Sequence, residues 1–233
     1  MARCRSLRQL GVSRVNYSSG LYTSGWVLLS GALSQASPLR ARPVPAGVRR
    51  SHSNAEAALA RLLPARRVRS LVRRIRQTML WRTPRRGLLF KGHDRGDNNR
   101  LIYNVRNGGI DPVVEQTSRL LSTAIASALN LGGEMFENCT SVIVSSEGAE
   151  DQIEHADTDW DNAYSFLIAL SPRWIHVKDR DCGVWRVLHL RAGDCLVIAS
   201  NTRHAAHSHS FLKRRSILLF TAWNWHQSDQ VIF

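Results

Sequence analysis

From Cys139 to Trp223 the chain alternates short runs of β-branched and aliphatic residues with turn residues, and this stretch most constrains the fold. Runs near 139–146, 151–156, 163–170, 173–178, 184–190, 194–199, 203–209 and 214–223 have strand length, and no helix intervenes. Eight such strands indicate an antiparallel sandwich or jelly-roll barrel. The expected class is mainly β with flanking helices, a double-stranded β-helix of cupin-like, jelly-roll form. One flanking helix is marked at its start by Asp111 as N-cap and Pro112 in the first helical position. Val113, Val114, Thr117, Leu120, Leu121, Ala124, Ile125, Ala128 and Leu129 form its apolar face, and Gly132-Gly133 its stop. A packing helix is therefore expected over 111–131, against the outside of the sheet.

Charge divides the 233 residues unevenly. Residues 1–93 hold 19 Lys+Arg and one acid, Glu56, while 94–233 hold 13 Lys+Arg and 17 Asp+Glu, so the overall +14 splits into +18 and −4. The C-terminal part is mildly acidic, which argues against stable nucleic-acid binding by a mature domain. Residues 1–50 are rich in Ser, Gly, Pro and Arg and read as a disordered, cleavable transit leader, addressing the protein to the mitochondrial matrix or plastid stroma. A basic arm that binds RNA or anionic lipid is the competing reading. Residues 17–37 also fit a signal sequence ahead of a plastid transit region. Trp26–Leu29 and its neighbours are too short and too Gly/Ser-broken to span a bilayer, so no transmembrane segment is expected.

Residues 51–93 read as a basic helical arm or the remainder of the leader. Ala57, Ala58, Leu62, Leu63, Leu71, Val72 and Ile75 recur near helical spacing, and Pro64 interrupts them. Pro84 through Asn99 reads as loop, and the barrel domain is placed at 94–233. Cys4, Cys139, Cys182 and Cys195 show no CxxC spacing, so reduced thiols are expected, as suits an organelle matrix.

Within the β-rich part, His155 and Asp157 end the second expected strand. Residues i and i+2 of an extended chain project to one face, so both can reach one ion. His204 opens the seventh strand, after the turn Ala192-Gly193-Asp194. A jelly roll lays its second and seventh strands side by side, which makes two imidazoles and a carboxylate a facial set for ferrous iron with open positions. Arg214 follows His204 by ten residues, and Ser216 shares its strand face. A guanidinium there suits a carboxylate through two parallel charge-assisted bonds.

These residues resemble the Fe(II)- and 2-oxoglutarate-dependent dioxygenases, of prolyl-hydroxylase-like or phytanoyl-hydroxylase-like type. The similarity runs from about Thr140 to Trp223 through Gln152-Ile-Glu-His155-Ala-Asp157, Tyr164-Ser-Phe-Leu-Ile-Ala-Leu170, Gly193-Asp194 and His204…Arg214-Arg-Ser216. It implies Fe(II) on His155, Asp157 and His204. It also implies 2-oxoglutarate on Arg214 and Ser216, with Tyr164 as a further cofactor contact. The implied reaction is hydroxylation of a peptide side chain or small molecule with O2, coupled to decarboxylation of 2-oxoglutarate to succinate, with ascorbate as a possible accessory reductant.

Several alternatives stay open. Arg215 or Lys213 can replace Arg214, and His207 or His209 can replace His204. Asp159 or Asp161 can orient His155 from behind. Asn104 and Arg106 precede the barrel, where substrate contacts are common. Tyr164, Trp174, Trp185, Trp223 and Trp225 also fit ordinary core or rim packing, and His176, Cys182 and His189 lack zinc spacing. A cupin-like metal-binding barrel, either a 2-oxoglutarate-independent enzyme or a non-catalytic ligand-binding module, is the competing function.

Overall fold

A computed structural model gives the fold and describes residues 24–31, 46–78, 85–86, 100–104, 110–131, 137–145, 149, 151–157, 163–199, 201–207 and 216–223. Their elements run β1 (Trp26–Leu29), α1 (Ala46–Leu62), α2 (Ala65–Thr78), β2 (Arg85–Arg86), β3 (Arg100–Asn104), α3 (Pro112–Ala128) and β4 (Glu137–Ser145). There follow β5 (Tyr164–Ala169), β6 (Arg173–Lys178), β7 (Trp185–Leu190), β8 (Cys195–Ala199), β9 (His204–Ala206) and β10 (Ser216–Trp223). Two antiparallel sheets face each other, one of seven strands in the order β1-β8-β5-β10-β4-β3-β2 and one of three in the order β7-β6-β9. This is the jelly-roll barrel that the strand pattern implies.

The large sheet is covered on both sides, which explains why β5, β8 and β10 read as nearly unbroken apolar runs. Alternate residues Tyr164, Phe166, Ile168, Cys195, Val197, Ile217 and Leu219 pack under the helices. Their neighbours Leu167, Ala169, Leu196, Ile198, Leu218, Phe220 and Ala222 face the small sheet. The small sheet has one wet face, so β6 alternates: Arg173, Ile175 and Val177 point in, whereas Trp174 is 40% exposed.

α3 starts as expected. Asp111 accepts from the Val113 and Val114 backbone N–H groups, with Pro112 in the first turn. Its stop comes earlier than Gly132-Gly133, because Asn130 takes the left-handed conformation at φ 52° and the Leu131 N–H donates to the Ala126 carbonyl. Asparagine tolerates that backbone because its short polar side chain bonds locally.

The N-terminal expectations need correction. β1 lies inside the stretch read as disordered leader, yet it pairs antiparallel with β8, Trp26 opposite Ile198 through Leu29 opposite Cys195. Asp194 fastens its end by accepting from the Gly31 N–H at 2.8 Å and from the Arg191 N–H at 2.8 Å. The backbones meet here: a Cβ on Gly31 would lie 2.1 Å from the Gly193 carbonyl oxygen. α1 and α2 are helical as read, broken at Pro64, but they are part of the core and not an arm. Ala55, Leu59, Leu63, Val68, Leu71 and Ile75 lie in the same apolar cluster as α3 and the large sheet. The spacing 68, 71, 75 is one helical stripe, and each such side chain contributes about 1.5–3 kcal/mol on burial. Arginines occupy the rest of α2 because that face meets water. Arg74 turns across to Asp111 at 2.5 Å and Arg67 to the Thr117 hydroxyl at 3.3 Å, fastening α2 to α3. No described helix is long and apolar enough to cross a membrane.

Leu29 is fully buried, so Leu29→Ala is expected to cost about 2–5 kcal/mol, read as a lower urea midpoint. An unchanged midpoint would return residues 24–31 to an unstructured leader. For Asp111, burial opposes ionisation, but hydrogen bonds from Arg74, Val113 and Val114 outweigh it and hold the carboxyl below its ordinary value. A carboxyl depressed in the folded state stabilises above its unfolded pKa, and that contribution is lost as pH falls through the folded value. Asp111→Ala should therefore cost about 1 kcal/mol at neutral pH, and its Tm should converge on that of the parent as the solution is acidified below about pH 4.

Candidate metal centre

The backbone brings the two histidines together before any side chain is considered. The His155 N–H donates to the His204 carbonyl at 3.0 Å and the His204 N–H to the His155 carbonyl at 2.8 Å. The expected second strand shrinks to this single antiparallel bridge, yet the pairing of its end with the seventh run holds. The imidazole centroids are 4.6 Å apart.

Each ring is set by a carbonyl behind it. His155 Nδ1 lies 2.9 Å from the Ile153 carbonyl oxygen, and His204 Nδ1 lies 3.0 Å from that of Thr202. A carbonyl only accepts, so each Nδ1 donates to it, and each Nε2 is turned towards the carboxylate. Those Nε2 atoms stand 3.8 Å (His155) and 3.7 Å (His204) from Asp157 Oδ1, too far for hydrogen bonds. Ser165 Oγ donates to Asp157 Oδ2, which orients the carboxylate with Oδ1 towards the rings. His155, Asp157 and His204 are 4%, 7% and 4% exposed.

A divalent ion fits this arrangement. The three ligand atoms lie within 4.8 Å of one another, and two atoms each about 2.1 Å from one ion stand at most about 4.2 Å apart. A small inward adjustment of the rings closes the set. The carboxylate charge is buried with one hydroxyl donor from Ser165, and a cation offsets the remaining desolvation cost. Two imidazoles and one carboxylate suit ferrous iron with open positions.

The cluster opens on a cleft walled by Ile143, Leu167, Ile175, Leu218 and Phe220 and carrying Gln152, Arg100 and Arg173 among its polar groups. Not every residue singled out from the sequence belongs to it. His207 accompanies Asp151, Nδ1 to Oδ1 at 2.8 Å, and stacks on His176 at 4.5 Å, outside the cluster. His204, and not His207, is the histidine that joins His155 and Asp157. Trp174 stacks on His189 at 4.3 Å on the outer side of the small sheet. Tyr164 corrects an expectation: it packs in the helix-side core with Phe166 and Ile168, because it has the parity of β5 that faces away from the cleft. Ser165, one residue on, takes the inward parity. Ser216 is buried, on the parity of β10 shared by Leu218 and Phe220, and its hydroxyl donates to the Pro172 carbonyl at 3.4 Å. The Gly193-Asp194 part of the motif shapes the turn that holds β1 and lies away from the ligands. Arg106, Asp159, Asp161, His209, Lys213, Arg214, Arg215 and Trp225 lie outside the described residues, as does the side chain of Asn104. Ser165, Arg100 and Arg173 were missed as site residues.

No protein-family model and no curated protein sequence matches the chain. Solved structures do. The alpha-ketoglutarate-dependent non-heme epimerase SnoN from nogalamycin biosynthesis superposes with a TM-score of 0.62 at 13% identity, over 87% of this chain and 78% of that one. The Pseudomonas putida prolyl-4-hydroxylase does so at 0.52 and 19%, over 87% and 93% of the two chains. EctD from S. alaskensis, with 2-oxoglutarate and 5-hydroxyectoine, gives 0.54 and 12%, over 95% and 76%. The fold is that of the 2-oxoglutarate- and Fe(II)-dependent oxygenases. The His155–Asp157–His204 triad also fits that superfamily.

In an oxygenase fold the groups behind the ligands govern metal affinity. Ser165→Ala frees Asp157 Oδ2 and is expected to weaken divalent-metal binding by about 10–100-fold with the Tm of the metal-free protein nearly unchanged. Co(II) titration followed by its absorption bands measures this, and undiminished affinity would remove Ser165 from the centre.

Proposed function

We propose that this chain is an Fe(II)- and 2-oxoglutarate-dependent oxygenase that hydroxylates a peptide side chain or small molecule. The observation that carries the reading is the buried triad, with both imidazoles turned by backbone carbonyls so that the Nε2 atoms of His155 and His204 stand 3.8 and 3.7 Å from Asp157 Oδ1.

In this reading His155, Asp157 and His204 hold iron on one face and leave the cleft side open to ligands. Bound iron and 2-oxoglutarate supply O2 activation, coupling oxidative decarboxylation of the 2-oxo acid to succinate with oxidation of a C–H bond. The chain's own contribution is orientation and exclusion of water. Ser165 holds the carboxylate still. The Ile153 and Thr202 carbonyls hold each imidazole in register, with Nε2 towards the metal site. The apolar walls from Ile143, Leu167, Ile175, Leu218 and Phe220 keep the reacting volume dry. A cationic group at the far end retains the distal carboxylate of the co-substrate. The reading extends to an organelle matrix, with the address carried before Ser24. The mature N-terminus, determined by sequencing protein recovered from cells, should then fall at or before that residue.

Aerobic incubation with Fe(II), ascorbate and 2-oxoglutarate tests the activity. Succinate is expected from the parent protein even without substrate, and His155→Ala or His204→Ala should lower its rate to the no-protein background. Bound metal with no consumption of 2-oxoglutarate would shift the assignment to the cupin-like reading.

A further inference from the structure

Apart from Ser70 and Gln77, every exposed side chain of α2 is an arginine. We propose that this outer face is a docking surface for the phosphate backbone of a nucleic acid, recognised by charge and without regard to base sequence. The proposal stands independently of the oxygenase reading.

α2 carries arginines at 66, 67, 69, 73, 74 and 76 and no acid. Two of them are engaged within the fold, Arg74 with Asp111 and Arg67 with Thr117. The other four, Arg66, Arg69, Arg73 and Arg76, are exposed, and among the described residues none of them has a hydrogen-bond or ion-pair partner. Steps of three, four and three gather these four within about 80° of the helix circumference, along about 15 Å of its length. The ridge lies on the side away from the buried stripe Val68, Leu71 and Ile75.

Like charges three and four residues apart on a helix repel one another. A merely solvated helix face intersperses acids with its bases, whereas no acid occurs between Ala57 and His93. The ridge therefore weakens its own helix and adds nothing to the packing. A polyanion laid along it removes that repulsion. Each guanidinium fork matches two oxygens of one phosphate.

The way α2 is seated favours a nucleic acid over a lipid surface. A helix that binds a bilayer sinks an apolar face below the headgroups. Here that face is committed to the core, since Val68, Leu71 and Ile75 are buried in it and Val72 packs against it. Folding α2 into the core also transfers its charge from a leader to the folded unit, where the arginines stand in a fixed row. Because the helix is half embedded, only its ridge is free to touch a ligand. Such a ridge meets the phosphate backbone, and contacts of that kind carry no base information. The cleft lies between the two sheets, on the opposite side of the large sheet, so a docked strand leaves His155, Asp157 and His204 free.

Fluorescence anisotropy of the full-length protein with labelled mixed-sequence duplex DNA and duplex RNA, over a range of salt, tests the surface. The parent should bind both duplexes, with the logarithm of affinity falling linearly with that of salt. Arg73→Gln should reduce the magnitude of this slope by about one, whatever the base sequence. Arg66→Gln, Arg69→Gln, Arg73→Gln and Arg76→Gln together should reduce it by about 3–4 and weaken binding more than about 10-fold at physiological salt. Arg186→Gln, on the small sheet, should change neither. The Tm of the fourfold variant without ligand should equal or exceed that of the parent, since repulsion is relieved. Arginines that merely support the fold would lower the Tm and leave the slope intact. Failure of the parent to bind either duplex, or unaltered affinity and slope in the fourfold variant, overturns the proposal. Phosphatidylcholine vesicles containing phosphatidylglycerol are the third probe. Ridge-dependent binding to them without binding to the duplexes assigns the face to a membrane and equally overturns it.

Discussion

Burial of the seven-stranded sheet on both faces is the constraint from which the site follows. Three helices cover one face and the small sheet covers the other, so the pleat of each strand allots its residues to one of two cores. A shift of one residue along any strand would exchange the two sets and place every inward side chain outside. The large apolar set therefore fixes the register, and the register carries the polar residues with it. Ser165, Ser145 and Ser216 take the inward parity because Leu167, Ile143 and Leu218 must.

The two ends of the cleft have opposite electrostatic character. One end collects a carboxylate and two imidazole nitrogens, a donor set suited to a cation. The other collects guanidinium groups, one of them with donors lacking an acceptor. Neither end is a stable arrangement in a dry interior by itself. A molecule with chelating oxygens at one terminus and a carboxylate at the other completes both ends when a metal is present. The complementarity is thus a property of the whole cleft.

The sequence pattern was legible where one physical rule acted alone. Alternation and turn residues located seven of the eight expected runs as strands, and the Asp111-Pro112 pair located the start of α3. The i, i+2 spacing and the position of His204 brought the triad together correctly. Composition misled at the N-terminus. Trp26–Leu29 is a four-residue edge strand in an Arg/Ser-rich context, and only its partner β8 makes it ordered. The arginines of α2 resemble a targeting helix because a solvated face and a targeting face have the same composition. Val68, Leu71 and Ile75, one stripe, were the signal that it packs. Tyr164 was drawn into the site by family likeness, whereas its parity opposite Leu167 sends it to the helix side. Arg173 had a signal as well, since it shares the inward parity of Ile175 and Val177, but a charged residue opening a strand ordinarily faces water.

By itself, the sequence determined the fold class, the helix cap, and the identity and order of the three residues of the His-Asp-His cluster, because these depend on local periodicity and on residue chemistry. Tertiary structure decided which acceptors hold the imidazole Nδ1 atoms, which hydroxyl steadies Asp157, and which cations line the far end. Those choices come from strands distant in the chain, β3, β5, β6 and β10, being set abreast. The reason is that a side chain's partners are fixed by register across the sheets, and register is settled only when both cores are packed at once.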